Sequence, residues 1–253
     1  KQFYISFILV IIIYIYLIKM IYVHFGAGAG DLDSRANYRC GFTEFIKKNY
    51  QPGDEIYLIE VNKNNIEKLK RCWVNYQNSY IFNIGIVAKD YEEGVKKFFF
   101  SEDDSPHYQI CSINIDHVKK IYPAETIKEF LVETISINNF FKKYLSNKTI
   151  DYLSIDLEGI DFDIMKNINL KKYIINNISI EHIHMTKKQK KTLVNHLNFN
   201  GYSYCGFGYD INEFDFLFRR KKIFFNKLVS QILWILSSKH IKYLNNFISE
   251  KIN

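Results

Sequence analysis

The sequence has little of what builds linkers, disulfide frameworks or metal–thiolate sites. Only three of its 253 residues are proline and eleven are glycine, and neither type is concentrated in one stretch, which excludes a long flexible linker. The four cysteines are widely spaced and form no C-x-x-C pair, which excludes the common zinc patterns and favours reduced thiols in a cytoplasmic protein. The sequence has no internal repeat, so a solenoid is excluded as well.

A basic surface is missing from most of the chain, although the formal net charge is +7. Residues 219–253 hold eight of the 34 Lys and Arg residues and one of the 27 acids, so residues 1–218 carry no net charge. A nucleic-acid-binding body would carry its own basic face, and we therefore expect no nucleic-acid partner. The apolar fraction of 47% predicts a folded domain with a full core.

The longest apolar run is residues 3–18, which are uncharged and are flanked by Lys1 and Lys19. A membrane-spanning helix needs about 20 such residues, and extending the run through residues 20–23 would consume most of the strand, residues 20–25, that leads into a glycine-rich loop. Two interpretations stay open. Residues 1–19 are a short membrane anchor or signal-like segment, or they lie upstream of a natural start at Met20 and do not belong to the protein.

From residue 20 to residue 219 the sequence alternates between strand-like and helix-like segments. Short apolar runs predict strands, and apolar residues at helical spacing predict helices. The predicted strands cover residues 20–25, 55–60, 79–84, 94–100, 133–137, 150–156, 177–182, 202–207 and 213–219, and the predicted helices cover residues 34–49, 62–76, 160–168 and 186–199. This alternation predicts a doubly wound, mostly parallel sheet, and the final pair of strands predicts an antiparallel edge.

Gly26, Gly28, Gly30 and Asp31 lie in a loop, GAGAGD, between a predicted strand and a predicted helix. Glycines let the backbone turn tightly and approach a ligand closely, and the N-terminus of the following helix offers free N–H groups to a carboxylate. The loop therefore predicts a cofactor site. The alternative is a glycine turn in some other α/β protein.

Glu60 ends the second predicted strand, where an acid can accept hydrogen bonds from the ribose hydroxyls of a nucleotide cofactor. It follows Gly30 by 30 residues, against about 20 in the usual fingerprint, and a long first helix accounts for the excess. The alternative is a solvated acid at the end of a strand.

Asp156 and Glu158 lie at the end of a buried strand in the run IDYLSIDLEGID. The carboxyl end of such a strand faces the ligand crevice of a parallel sheet. Two carboxylates at this place are expected to raise each other's pKa and to steer a hydroxyl group or a cation. The alternative role for Asp156 is to cap the next helix.

Together these motifs resemble the FkbM-type methyltransferases, a class I family that depends on S-adenosylmethionine (SAM). The resemblance covers roughly residues 20–219 and rests on VHFGAGAGD, IYLIEVNKNNIEKLK, ETISINNFF, IDYLSIDLEGID and NISIEH. It implies a Rossmann-like sheet of seven strands and methyl transfer to a hydroxyl group of a saccharide or a secondary metabolite. The loop departs from the G-A-N that often follows the first glycine in this family.

By position, the resemblance implies that the loop from Gly26 to Asp31 holds SAM and that Glu60 binds its ribose. It further implies that the end of the third strand, near Asn83 or Ile84, contacts the adenine. It provides no transferable catalytic base.

Candidates for the base lie close to Asp156 and Glu158. The next strand ends in Glu181 and His182, and His184 follows. An imidazole titrates near neutral pH and can accept the proton of a hydroxyl group. We predict Asp156, Glu158 and His182 as the catalytic set, without a metal. The alternatives are a divalent metal bound by these three side chains, and an ordinary polar strand edge.

Residues 220–253 form a basic tail in which apolar residues recur at helical spacing. A helix of this kind packs on the domain or on a second subunit, or it lies on an anionic membrane. Three functions are therefore compatible with the sequence: a SAM-dependent methyltransferase with a small-molecule or glycan acceptor, a catalytically silent SAM-binding or partner-binding module, and a membrane-tethered enzyme of envelope glycan modification. The oligomeric state is left open.

Overall fold

The computed structural model describes residues 19–31, 40–105, 108–210 and 212–221. The apolar segment 3–18, the first part of the predicted helix 34–49 and all but the first two residues of the tail 220–253 lie outside the described residues. Within the described part of the chain, no helix is both long enough and apolar enough to cross a membrane.

Eleven strands and six α-helices are present among the described residues. The strands are β1 (Ile21–Phe25), β2 (Glu55–Ile59), β3 (Ser79–Phe82), β4 (Gly85–Val87), β5 (Gly94–Ser101), β6 (Cys111–Ser112), β7 (Ile127–Ser136), β8 (Ile150–Ile155), β9 (Ile175–Glu181), β10 (Tyr202–Phe207) and β11 (Asp215–Arg220). The helices are α1 (Gly41–Asn49), α2 (Lys63–Cys72), α3 (Ile115–Lys119), α4 (Ile137–Tyr144), α5 (Asp161–Asn167) and α6 (Lys187–Phe199).

Seven of the described strands form one sheet in the order β10-β11-β9-β8-β1-β2-β3. β1 runs parallel to both β2 and β8, and β3 and β9 extend the parallel set on either side. β11 runs antiparallel to β9 and lies one position inside the edge strand β10. The predicted Rossmann-like, mostly parallel sheet is confirmed, and its topological switch point lies between β1 and β8.

Side chains at the helix starts explain where several helices begin. The Oδ1 of Asn62 accepts a hydrogen bond of 3.0 Å from the N–H of Asn64 at the start of α2. Thr186 and Gln189 form a reciprocal capping box at the start of α6. Such caps satisfy N–H groups that have no partner inside the helix.

Helices cover both faces of the large sheet, which is why its central strands are apolar throughout rather than alternating. On one face, the ring of Phe25 on β1 contacts that of Phe140 on α4, with 5.2 Å between centroids. Tyr22, also on β1, faces the opposite layer, which includes Phe42 of α1. The two layers fix β1 in the middle of the molecule, and with it the loop that follows.

A second sheet of four described strands, in the order β4-β7-β5-β6, lies between residues 85 and 136. β5 and β7 form its long antiparallel pair, and Lys97 and Glu129 form an ion pair of 2.8 Å. The sequence predicted a strand only over residues 133–137, whereas β7 begins at Ile127. The residues of β7 before residue 133 are mostly half-buried or exposed, so their pairing with β5, rather than burial, holds them extended. Their hydrophobic pattern is therefore weak, which is why the sequence did not predict them as a strand.

Candidate active site

A cleft with a volume of about 440 Å³ opens at the carboxyl ends of β1, β2, β8 and β9. Its volume is typical of small-molecule sites, and parallel sheets bind ligands at this switch between β1 and β8. The lining contains seven acidic residues and, among the described residues, no Lys or Arg. The seven are Asp31, Glu60, Asp156, Glu158, Glu181, Asp210 and Asp215. Such a lining favours a ligand with positive charge.

Two glycines of the loop lie at positions where a side chain does not fit. Gly26 has a φ of +84°, and a Cβ on it would lie 1.6 Å from the carbonyl oxygen of Asp156. Gly30 has a φ of +78°, and a Cβ on it would lie 2.7 Å from Sγ of Cys72. Both the backbone conformation and the lack of space therefore require glycine at these two positions.

Glu60 joins the end of β2 to this loop. Its Oε2 accepts a hydrogen bond of 2.7 Å from the N–H of Gly28, and its Oε1 accepts one of 2.6 Å from the N–H of Asn62. The residue is only 4% exposed, and burial raises its pKa to about 7, although both hydrogen bonds favour the ionised form. The alternative of a solvated strand-end acid is therefore wrong.

Asp31, at the end of the glycine loop, organises the start of α1. Its Oδ2 accepts a hydrogen bond of 2.6 Å from the N–H of Cys40, and its Oδ1 accepts one from the hydroxyl of Thr43. Burial raises the pKa of Asp31, and these hydrogen bonds oppose the effect. Asp31 also lines the cleft, so the loop and the helix after it are fixed by the same side chain.

Asn83 is exposed and braces the ends of β2 and β3. Its Nδ2 donates hydrogen bonds of 2.9 Å to the carbonyl oxygens of Glu60 and Val61. Asn83 is not part of the cleft lining, whereas Ile84 and Val61 are. Of the two positions predicted to contact adenine, the structure brings Ile84 to the cleft.

The turn after β8, which carries Asp156 and Glu158, is held by a third acid. Asp161 accepts hydrogen bonds of 2.6 Å from the N–H of Leu157 and of 3.1 Å from the N–H of Gly159. Between them, Glu158 adopts a φ of +52°, which few non-glycine residues do. Asp156 does not cap α5, and its Oδ1 is buried without a hydrogen-bond partner, so the capping alternative is wrong.

Two histidines meet at Glu158. The Nε2 of His117, on α3, lies 3.0 Å from Oε2 of Glu158, and the Nε2 of His184 lies 3.6 Å from the same oxygen. The two rings meet edge to face, with 4.4 Å between centroids. Burial opposes the ionisation of Glu158, but the hydrogen bonds from the two imidazoles lower its pKa below the ordinary value. The expectation that Asp156 and Glu158 raise each other's pKa is therefore wrong for Glu158.

The expected rise in pKa from a neighbouring carboxylate is found at Asp156 and Glu181 instead. Burial, and next the charge of Glu158, raise the pKa of Asp156 well above its ordinary value. Burial, and next the charge of Asp156, raise the pKa of Glu181 to about 12. The Oδ1 of Asp156 and the Oε2 of Glu181 are both buried without a partner. The β8–β9 side of the cleft therefore presents polar oxygens that none of the described residues satisfies.

His117 is the residue of this site that sequence reasoning missed. It lies on the five-residue helix α3, in a stretch with no clear hydrophobic period, and meets Glu158 across 41 residues of sequence. One residue of the sequence, Gly159, is related to the position of His117. A Cβ on Gly159, in the D-x-E-G motif, would lie 3.1 Å from Nδ1 of His117, so that glycine leaves room for a ring.

His182 lies outside the cleft lining. Its Nδ1 lies 3.0 Å from Nζ of Lys190, its Nε2 lies 3.1 Å from the carbonyl oxygen of Glu213, and its ring stacks on Phe216. Burial, and next the charge of Lys190, lower its pKa. Adjacent residues of a strand face opposite sides, so Glu181 faces the cleft and His182 does not. The structure brings Asp156 and Glu158 together with His184 rather than with His182.

The family model described as the methyltransferase FkbM domain matches residues 24–217, more than three quarters of the chain. The chain belongs to the FkbM methyltransferase family. Its cofactor is therefore S-adenosylmethionine. The match begins within β1 and ends within β11, so it includes at least part of every strand of the large sheet.

Three of the solved structures that match the chain do so at low identity and low TM-score. The fibrillarin of Methanococcus jannaschii has a TM-score of 0.41 at 11% identity, with 80% of this chain and 67% of that chain covered. The fibrillarin of Aeropyrum pernix, solved with natively bound S-adenosylmethionine, has a TM-score of 0.39 at 10% identity, with 79% of this chain and 65% of that chain covered. A precorrin-6y C5,15-methyltransferase of Geobacter metallireducens has a TM-score of 0.40 at 11% identity, with 81% of this chain and 82% of that chain covered. No curated protein sequence matches the chain significantly.

Proposed function

We propose that this FkbM methyltransferase transfers the methyl group of SAM to a hydroxyl oxygen of a small-molecule acceptor, a saccharide or a related metabolite. The observation that carries the proposal is the division of the cleft into two sides. The glycine loop and Glu60 lie on the β1–β2 side, and Asp156, Glu158, Glu181 and His184 lie on the β8–β9 side. The first side suits the methyl donor and the second suits a hydroxylated acceptor.

The β1–β2 side fits SAM in shape and charge. Gly26, Gly28 and Gly30 carry no side chains, so the backbone N–H groups at these positions can approach the methionine carboxylate. Each carboxylate oxygen of Glu60 accepts one N–H bond, and a carboxylate has about four acceptor positions, so ribose hydroxyls can still bind there. Ile84 and Val61 supply an apolar wall for adenine, and the acidic lining suits the sulfonium and ammonium charges.

On the β8–β9 side, unpartnered carboxyl groups can orient an acceptor. The buried Oδ1 of Asp156 and Oε2 of Glu181 are free to bind hydroxyl groups, and a polyhydroxylated molecule supplies several. Alignment of the hydroxyl oxygen with the methyl carbon is the main requirement of methyl transfer from a sulfonium.

The proton of the acceptor hydroxyl needs one base. SAM supplies the methyl group, and its sulfur keeps the electron pair of the broken carbon–sulfur bond. We assign the proton to a carboxylate oxygen of Asp156, which follows directly after β8 and whose backbone contacts Gly26 of the cofactor loop. A carboxylate with a raised pKa is a stronger base when it is ionised. Glu158 and His184 flank it in place of the predicted His182.

The proposal is tested by incubating the protein with SAM and a panel of saccharides and other hydroxylated metabolites. Release of S-adenosylhomocysteine and the mass of the methylated product are the measurements. Asp156→Asn is expected to bind SAM and to lose methyl transfer, which separates the donor side from the acceptor side. SAM binding without turnover on any hydroxylated acceptor would favour the catalytically silent module instead.

A further inference from the structure

Three side chains that can bind a metal converge from separate segments at Glu158, on the acceptor side of the cleft. Glu158 and His184 line the cleft, whereas His117 is not part of the lining and reaches the group through its contact with Glu158. His117 lies on α3, Glu158 follows β8 and His184 follows β9, and one nitrogen or oxygen atom of each lies within 4.8 Å of the others. Both imidazole Nε2 atoms are directed at the same oxygen, Oε2 of Glu158. Two imidazole nitrogens and one carboxylate oxygen form a donor set typical of divalent transition metals.

A second observation, independent of the histidines, points to a cation. Glu181 is 7% exposed, and its Oε2 is buried without a hydrogen-bond partner. Oxygen atoms of Asp156, Glu158 and Glu181 lie within 4.8 Å of one another. Buried carboxylates are costly unless they are protonated or an ion or a hydrogen-bond donor compensates them, and among the described residues no Lys or Arg lines this cleft.

Ion pairing within the cluster does not supply that compensation. Both histidines approach Glu158, and the contact of His184 with Glu181 is 3.6 Å, from Nε2 to Oε1. Among the residues that the structure describes, this leaves the Oε2 of Glu181 and the Oδ1 of Asp156 without partners. A metal ion among these groups would give the two imidazoles and the carboxylates a common partner.

We propose that a divalent transition-metal cation binds His117, Glu158 and His184, with the carboxyl groups of Glu181 and Asp156 beside it. Its role in catalysis rests on the proposed function: the ion holds the acceptor hydroxyl oxygen at an open coordination position and polarises it. The hydroxyl oxygen then forms the new carbon–oxygen bond while Asp156 takes the proton. Binding of the ion itself does not depend on the acceptor.

The test is binding of Co²⁺ to the chelator-treated full chain, followed by the visible absorption of the ion, with Zn²⁺ as the competitor. The wild type is expected to bind one ion per chain. His184→Ala, which changes a partly exposed side chain, and Glu158→Gln are expected to weaken binding at least about 10-fold. His196→Ala, on α6 and outside the cleft, is the histidine control and is expected to bind as the wild type does.

The thermal melting curve and the SAM affinity are measured on the same preparations, so a variant that fails to fold is recognised. Such a variant is left out, and the conclusion then depends on His184→Ala. SAM binding without Co²⁺ binding by the wild type overturns the metal site and leaves the proposed function standing. Co²⁺ binding without SAM binding overturns the proposed function and leaves the metal site standing. Loss of Co²⁺ equal in His196→Ala and His184→Ala also overturns the site.

Discussion

The Oε2 of Glu60 lies 2.7 Å from the backbone nitrogen of Gly28, across 32 residues of sequence. The hydrogen bond joins the end of β2 to the middle of the glycine loop. The acid that suits the ribose of SAM therefore also holds the loop that suits its methionine part. A single side chain therefore joins the two parts of the proposed cofactor site.

Glu60→Ala is expected to lower the affinity for SAM about 10- to 100-fold. The change removes the acceptor for the ribose and leaves the N–H groups of Gly28 and Asn62 without a partner, at about 1–3 kcal/mol for each buried group. Calorimetric titration with SAM measures the effect. Glu67→Ala, at an exposed position on α2, is the control and should bind as the wild type does. Equal affinity in Glu60→Ala and Glu67→Ala would remove Glu60 from the site.

Gly26→Ala is expected to unfold more readily than Gly201→Ala, and to lose SAM binding. The two glycines have nearly the same φ, +84° and +85°, so both variants have the strain of a left-handed backbone, about 1–2 kcal/mol. A Cβ at Gly201 meets nothing within 4 Å, whereas one at Gly26 would lie 1.6 Å from a carbonyl oxygen. The free energy of unfolding in urea should therefore fall further in Gly26→Ala. Equal losses would show that conformational strain alone fixes Gly26.

His24 makes the stability of the fold depend on pH. Its ring is buried against Phe42, with 4.6 Å between centroids, and its Nε2 lies 3.9 Å from Sγ of Cys40. Burial lowers the pKa of His24 to about 3, against about 6.5 in an unfolded chain. Between these values the unfolded chain binds a proton that the folded chain does not, so the unfolding free energy contributed by His24 falls as the pH drops below about 6.5.

At pH 4.5 this loss amounts to about 2–3 kcal/mol. Urea unfolding of the wild type and of His24→Gln, each at pH 7 and pH 4.5, measures it. The wild type should lose about 2–3 kcal/mol more than the variant on acidification, because the acidic residues of the cleft contribute equally to both proteins and cancel in the difference. A difference between the two proteins that does not change with pH would contradict the burial of a neutral imidazole.

The positions of Glu60, Asp156 and Glu158 could be predicted because each lies within a few residues of a strand end whose hydrophobic run is plain in the sequence. The parallel order of β8, β1 and β2 then brings these ends to one edge. Which adjacent residue faces the cleft could not be predicted at the end of β9. A shift of one residue exchanges the two faces of a strand, and the sequence pattern alone does not show which of Glu181 and His182 faces inward.

His117 could not be predicted for a different reason. Its helix α3 has five residues and follows the two-residue strand β6, and elements this short carry no measurable hydrophobic period. Its place beside Glu158 depends on tertiary contacts, including the hydrogen bond of 2.9 Å that the Ser112 hydroxyl donates to the carbonyl oxygen of Glu158. The second sheet, which leads the chain to this point, was predicted only in part.

Substitutions of the two histidines after β9, His182 and His184, are expected to have different effects, one on stability and the other on catalysis. His184→Gln should lower kcat about 100-fold, because His184 faces Glu158 and Glu181 beside the base Asp156 and a misplacement of about 1 Å at a reacting group costs about that much. SAM affinity should be unchanged, since the glycine loop and Glu60 are not touched. Steady-state methyl transfer and calorimetric SAM binding measure the two quantities on the same preparation.

His182→Gln should behave in the opposite way. Its ring stacks on Phe216 and contacts Lys190 and Glu213, so the loss should appear as a lower free energy of unfolding, by about 1–2 kcal/mol, with kcat close to that of the wild type. His182 and His184 are only two positions apart, so the pair of variants tests which of the two side chains faces the acceptor side of the cleft after β9. A large fall in kcat for His182→Gln with little effect of His184→Gln would mean that the strand presents His182 to the acceptor, and the site would have to be rebuilt around it.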